Sequence, residues 1–180
     1  PEGKLAQKAY LPPEAWRLLE GRELSPETTW EVTLVQGEIV FRAAGGEEVF
    51  HSGEPLLLRA AEGGELKLNG RSYPGTLQFW PGGELSIFNR LGLEDYVAGV
   101  LSCEAYASWP LEALKANAVA IRTYTLYSLG KHDIYDLCDQ VHCQVYRGLH
   151  LAPVFEEAAA ATEGEVLTWN GKLIEEFIFE

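Results

Sequence analysis

Methionine is absent from all 180 residues, position 1 included, so the sequence reads as an excised or processed piece of a longer product, with any leader or anchor removed. Cysteine is scarce: three residues, unevenly placed, cannot make the paired framework of a small disulfide scaffold. Basic residues are outnumbered 14 to 27 by acidic ones, and a formal net charge of −13 leaves no basic footprint for nucleic acid or an anionic membrane surface. No apolar run approaches the roughly 20 residues of a membrane span. What is present is the composition of a soluble globular domain, 47% hydrophobic and 11% aromatic, long enough to bury about 70% of its unfolded surface.

Three stretches differ in pattern. Residues 1–28 place Ala15, Leu18 and Leu19 at helical spacing after Pro12-Pro13, closed by Gly21, which predicts an N-terminal helical extension packed on something else. Residues 29–180 form the main domain. From Thr29 to Phe88 short alternating runs (WEVTLV, EIVFRA, ELKL, TLQFW, ELSIF) are separated by Gln36-Gly37, Gly45-Gly46, Asn69-Gly70 and Pro81-Gly82-Gly83. Alternation buries one face of a strand, and Asn-Gly suits a type I′ turn, in which both central residues need positive φ. The pattern predicts an antiparallel β-meander of roughly six or seven short strands.

After Asn89 the period changes. Leu93, Val97, Val100 and Leu101 fall on one side of a first helix. Ser108 as N-cap and Pro110 as an early proline open a second, which runs to about Ser128, carries Leu111, Leu114, Ala118 and Ile121 as its apolar stripe, and stops at Gly130. A loop rich in His, Asp and Cys spans 131–150. Pro153 then opens a third helix that Gly164 closes, and EVLTWN-GKLIEEFIF predicts a C-terminal β-hairpin across Asn170-Gly171. The fold class is therefore α+β: a β-meander, a buried central helix pair, a metal-binding loop, a third helix and a hairpin.

Three groups carry chemistry. Glu104 lies in the break between the two apolar helices, beside Tyr106 and Trp109. A carboxyl partly desolvated there can hold its proton near neutrality and act as a general acid; the plain alternative is a solvated glutamate near a helix end. His132, Cys138, His142 and Cys143 are the donor set of a tetrahedral zinc site, closed and structural if all four bind, open to catalysis if one drops out. A Cys138–Cys143 disulfide and two unrelated surface histidines are the alternatives. Adjacent ligands at 142 and 143 require a turn, since in a strand they point to opposite faces. The third group is Lys115 and Arg122, cations on an otherwise apolar side of the second helix. They either pair with structural glutamates or face the Glu104 pocket as substrate-binding residues, together with the hydroxyls of Tyr106 and Tyr124. Cys103 reads as a small buried thiol.

The segments LNGRSYPGTLQFW, LEDYVAGVLSCEAYASWPLEALKANAVAIRTYTL, YDLCDQVHCQVYRGL and AAAATEGEVLTWNGKLIEEF, in that order and spacing, resemble the SpoIID/LytB family of sporulation protein D, from about residue 65 to the end. The resemblance implies a peptidoglycan lytic transglycosylase that cuts the MurNAc–GlcNAc β-1,4 bond of glycan strands stripped of their stem peptides and leaves a 1,6-anhydro sugar. It implies Glu104 as the catalytic residue and His132, Cys138, His142 and Cys143 as the metal ligands, and it places the protein outside the cytoplasm. Relatives are also described as enhancers of cell-wall amidases, so the same resemblance offers a noncatalytic glycan-binding module with an amidase partner. One carboxylate suffices for the first activity, because the sugar's own C6 hydroxyl replaces water as nucleophile. The lactyl carboxylate left on MurNAc gives Arg122 or Lys115 something to hold. The chain departs from the family with Cys103-Glu104-Ala105 where Ser-Glu-Met is usual, with Asn117 in place of a glutamine, and in ending before the Ser- and Gly-rich segment thought to line the cleft.

Overall fold

The computed structural model of the chain describes residues 5–7, 29–43, 46, 48–60, 66–149 and 152–174. The helix expected between Pro12 and Gly21 and the final strand residues 175–180 lie outside them.

β1 (Leu5–Gln7) precedes eight strands that fill the region of alternation. β2 (Trp30–Val35), β3 (Glu38–Ala43) and β4 (Glu48–Ser52) are one antiparallel meander, turning first at Gln36-Gly37, where φ is +50° and +85° as a type I′ turn demands. β5 (Leu56–Arg59), β8 (Thr76–Trp80) and β9 (Ser86–Arg90) continue the antiparallel run in a larger sheet, and β6 (Leu66–Leu68) with β7 (Arg71–Tyr73) is a hairpin inserted between β5 and β8. The larger sheet has the order β10-β1-β9-β8-β5, in which β10 is Leu137–Cys138. β1 lies parallel to β9 and antiparallel to β10, so the His- and Cys-rich loop contributes an edge strand to the sheet.

The pleat assigns each face. Leu77 and Phe79 of β8 and Ile87 of β9 join the main core beneath the helices, whereas Phe88 packs separately with Trp80 and Tyr135. Above the sheet, α1 (Leu93–Glu104) begins with Glu94 and Asp95, acids at the helix end that favours them, and buries every residue from Tyr96 to Leu101. A helix buried over a whole consecutive stretch is surrounded by protein, so α1 is the more deeply embedded of the central pair. α2 (Leu111–Tyr127) buries Leu114, Ala118 and Ile121 as expected. Its start differs from expectation. Ser108 does not cap it; the turn in which Trp109 N donates to Tyr106 O (3.0 Å) intervenes, and Pro110 is the N-cap, its carbonyl accepting from Ala113 and Leu114. α3 (Pro153–Ala161) has its proline in the first turn, where no amide donor is lost. β11 (Thr168–Trp169) and β12 (Lys172–Leu173) form the hairpin across Asn170-Gly171, and Leu167 N donates to Thr123 Oγ1 (2.9 Å), docking it on α2.

Candidate functional site

Glu104 is the last residue of α1, whose backbone closes with Ala105 N donating to Leu101 O (3.0 Å). The last turn holds no basic residue, so the carboxylate faces the negative end of the helix dipole without a countercharge in that turn. Glu104 is exposed, which corrects the expected desolvated niche: Tyr106 and Trp109, the intended walls, stand 75% and 42% exposed in the following turn instead of folding over it. A carboxylate and two open aromatic rings are thus exposed within six residues of chain. Cys103 is exposed, which corrects its reading as a small buried thiol; local desolvation raises its thiol pKa and so disfavours the nucleophilic thiolate.

The four expected ligands come together. One donor atom from each of His132, Cys138, His142 and Cys143 lies within 4.8 Å of all the others. His132 Nε2 is 3.3 Å from Cys143 Sγ, and His142 Nδ1 is 3.5 and 3.7 Å from the sulfurs of Cys143 and Cys138. Ligands on a tetrahedral zinc ion with ordinary Zn–N and Zn–S bonds sit about 3.3–3.8 Å apart, so the donor types and these three spacings fit that ion. The adjacent pair is accommodated by a turn, with Cys143 N donating to Gln140 O (2.9 Å). Desolvation first, then the neighbouring His142 imidazole, lowers the pKa of His132 and favours the neutral ring a metal requires, while burial raises that of Cys143, whose proton a metal must displace. Tyr135 stacks on His132 at 4.3 Å, and Lys131 Nζ donates to His142 O (3.2 Å).

The chain leaving this cluster is stitched along α1 toward Glu104. Gln144 Oε1 accepts from Tyr96 OH (3.1 Å) and from Thr125 Oγ1 (2.8 Å), tying the residue after Cys143 to α1 and α2. Tyr146 donates to Asn89 Oδ1 (3.0 Å), and its ring fills the space a side chain at Gly99 would need. The Arg147 backbone comes close to the Cys103 thiol, one residue from Glu104, and lowers its pKa against the larger effect of burial. Sequence reasoning passed over Gln144 and Arg147. Both lie inside the segment that holds the ligands, but nothing local announces a contact with a helix so far upstream.

The remaining expected binding residues separate. Arg122 is fully buried, which corrects its reading as a substrate clamp. It forks onto both carboxylate oxygens of Glu94 and donates to Ala159 O (3.1 Å), Glu165 O (3.1 Å) and, more loosely, Thr162 Oγ1, joining α1, α2 and the end of α3. Lys115 is a surface pair with Glu112 (2.8 Å), which raises its pKa and keeps it charged. Tyr124 is half-buried and its hydroxyl accepts from Lys131 Nζ (3.3 Å), so it belongs with the metal loop.

The family model for the stage II sporulation protein SpoIID matches residues 81–169, which contain both Glu104 and the four-ligand cluster. An uncharacterised protein of Brachyspira hyodysenteriae is 40% identical over 112 residues, 59% of this chain and 30% of that protein. The amidase enhancer of Bacillus subtilis is 38% identical over 112 residues, 61% of this chain and 15% of that protein. The chain thus spans less than a third of either relative. Among the described residues no helix is long and apolar enough to cross a membrane.

Proposed function

Residues 81–169 belong to the SpoIID family, and from that premise we propose that the chain engages bacterial cell-wall glycan outside the cytoplasm and cuts it as a lytic transglycosylase with Glu104 as general acid, then base. The observation that carries the reading is the placement of Glu104: an acid at the unfavourable end of a buried helix, held in the open beside Tyr106 and Trp109. Aromatic faces of this kind stack on sugar rings, and a bound glycan would supply the desolvation that the described residues do not. Glu104 protonates the glycosidic oxygen between MurNAc and GlcNAc as the bond breaks. The same carboxylate then takes the C6 hydroxyl proton as that oxygen closes onto C1, giving the 1,6-anhydro end without water. Lys115 can exchange Glu112 for a lactyl carboxylate. The cluster of His132, Cys138, His142 and Cys143 would hold zinc; with all four positions supplied by protein, the ion fixes the loop that backs α1 and leaves the chemistry to Glu104.

The test is incubation with peptidoglycan stripped of stem peptides by an amidase, followed by mass spectrometry. Fragments ending in 1,6-anhydroMurNAc are expected, and they should vanish with Glu104→Gln. Reducing-end products, or release that survives the substitution, reject the assignment. A second reading is favoured by the relative named an amidase enhancer: a noncatalytic glycan-binding module that stimulates a cell-wall amidase. Under it, the Glu104→Gln protein still binds glycan and still raises the amidase rate.

A further inference from the structure

Two of the three cysteines belong to the metal cluster, and their surroundings differ. Cys143 is buried in the Gln140 turn, whereas Cys138 is half-buried on β10, the edge strand of its sheet. Both sulfurs converge on one nitrogen, His142 Nδ1, at 3.5 and 3.7 Å, and both lie inside the 4.8 Å cluster. Cys103 stands outside it. Two sulfurs held this close either share a soft ion or, once an oxidant reaches the more accessible one, join to each other. We infer that Cys138 and Cys143 form an oxidisable pair, a site of reversible disulfide formation by hydroperoxides that expels the metal.

The chemistry balances on the residues present. Cys138 Sγ attacks one peroxide oxygen, the O–O bond breaks, and the far oxygen leaves as an alcohol or water, carrying the proton that the thiol gave up. Cys138 is then a sulfenic acid. Cys143 Sγ attacks that sulfur, the S–S bond forms, and the hydroxyl departs as water with the proton from Cys143. In the metal-free chain two thiols lose two electrons and two protons and the peroxide gains them; in the metal-loaded chain both sulfurs start as thiolates, so solvent supplies the two protons as the ion leaves. With both sulfurs spent on each other, only two imidazoles remain for the ion, too few for a closed zinc site. The stitch through Gln144, Tyr146 and Arg147 then loses its anchor at one end, so oxidation reaches the helix that carries Glu104.

Only the release step rests on the metal reading, and none of it rests on the glycan chemistry. The zinc-loaded chain is titrated with hydrogen peroxide, zinc release is followed with a chromophoric chelator, thiols are counted after unfolding, and peptides are mapped by mass. Zinc should leave in step with a fall from three free thiols to one, with a peptide linking Cys138 to Cys143. A thiol reductant should restore zinc binding. Cys103→Ser should leave the linkage unchanged, and Cys143→Ser should abolish it. Crosslinks through Cys103, sulfinic or sulfonic acids without a crosslink, or retained zinc with intact thiols overturn the inference. A chain that takes up no zinc yet still links Cys138 to Cys143 supports the pair and rejects the metal and its release.

Discussion

Glu104 shows a side chain set against the preference of its own helix. A carboxylate in the last turn of α1 opposes the dipole, and neutralising it should relieve that cost. Glu104→Gln is therefore expected to leave the thermal midpoint unchanged or raise stability by a few tenths of a kcal/mol, while release of anhydro ends falls by about a hundredfold or more. Calorimetry beside product analysis checks both; a clear loss of stability would mean that Glu104 is structural. Arg122 is the opposite kind of residue. Removing a buried guanidinium leaves Glu94 and the freed carbonyls without donors, so Arg122→Ala should cost about 3–5 kcal/mol in urea unfolding. Lysine there should recover only part, because one ammonium cannot fork onto both carboxylate oxygens. The grouping of His132, Cys138, His142 and Cys143 was legible because their residue types and spacing sit in one short segment, and Glu104 stood out as a candidate by its place at the helix break. The sequence could not decide the fate of Arg122, since an arginine on an apolar helix side looks the same whether its carboxylate comes from substrate or from Glu94 on a neighbouring helix.

Among the elements, what was legible depended on how local the cause is. Asn69-Gly70 and Asn170-Gly171 announced their hairpins because the turn's φ requirement is met within two residues. Among the described residues the helix spans followed from period and proline, and missed only at Ser108, where an extra turn precedes α2. The threading of β1 between β9 and β10 was not legible, because strand pairing across most of the chain leaves no local mark. That threading matters, since β10 places Cys138 in the sheet while Gln144 to Arg147 run along α1. The loop of His132, Cys138, His142 and Cys143 is thus a brace between sheet and helix. If zinc fills the cluster at a free concentration about a thousandfold above its Kd, it adds about 4 kcal/mol. Chelation should then lower Tm by roughly 10 °C and speed hydrogen exchange at the C-terminal end of α1. An unmoved Tm would remove the brace from the account.

For the molecule as a whole, the net charge of −13 would confront the proposed substrate, a glycan that carries a carboxylate on every MurNAc. With Arg122 buried, the cations that remain on the segments around Glu104 and the four-residue cluster include Lys115 on α2, already paired with Glu112, Lys131 and Arg147. Long-range repulsion and short-range attraction respond oppositely to salt. At 0.01 M ionic strength the screening length is about 30 Å, so the whole acidic surface acts on an approaching strand; at 0.15 M it is about 8 Å, and only groups beside the ligand count. Retention of the chain on stripped glycan should therefore strengthen, by about two- to tenfold, between those salt concentrations. This is the reverse of a protein that holds a polyanion through a basic patch. Lys115→Ala should weaken binding at both salt levels while preserving the direction of the change. Binding that instead weakens steeply with salt would show that a local cluster of cations dominates, and the stacking surface of Tyr106 and Trp109 would no longer be the main hold on the strand.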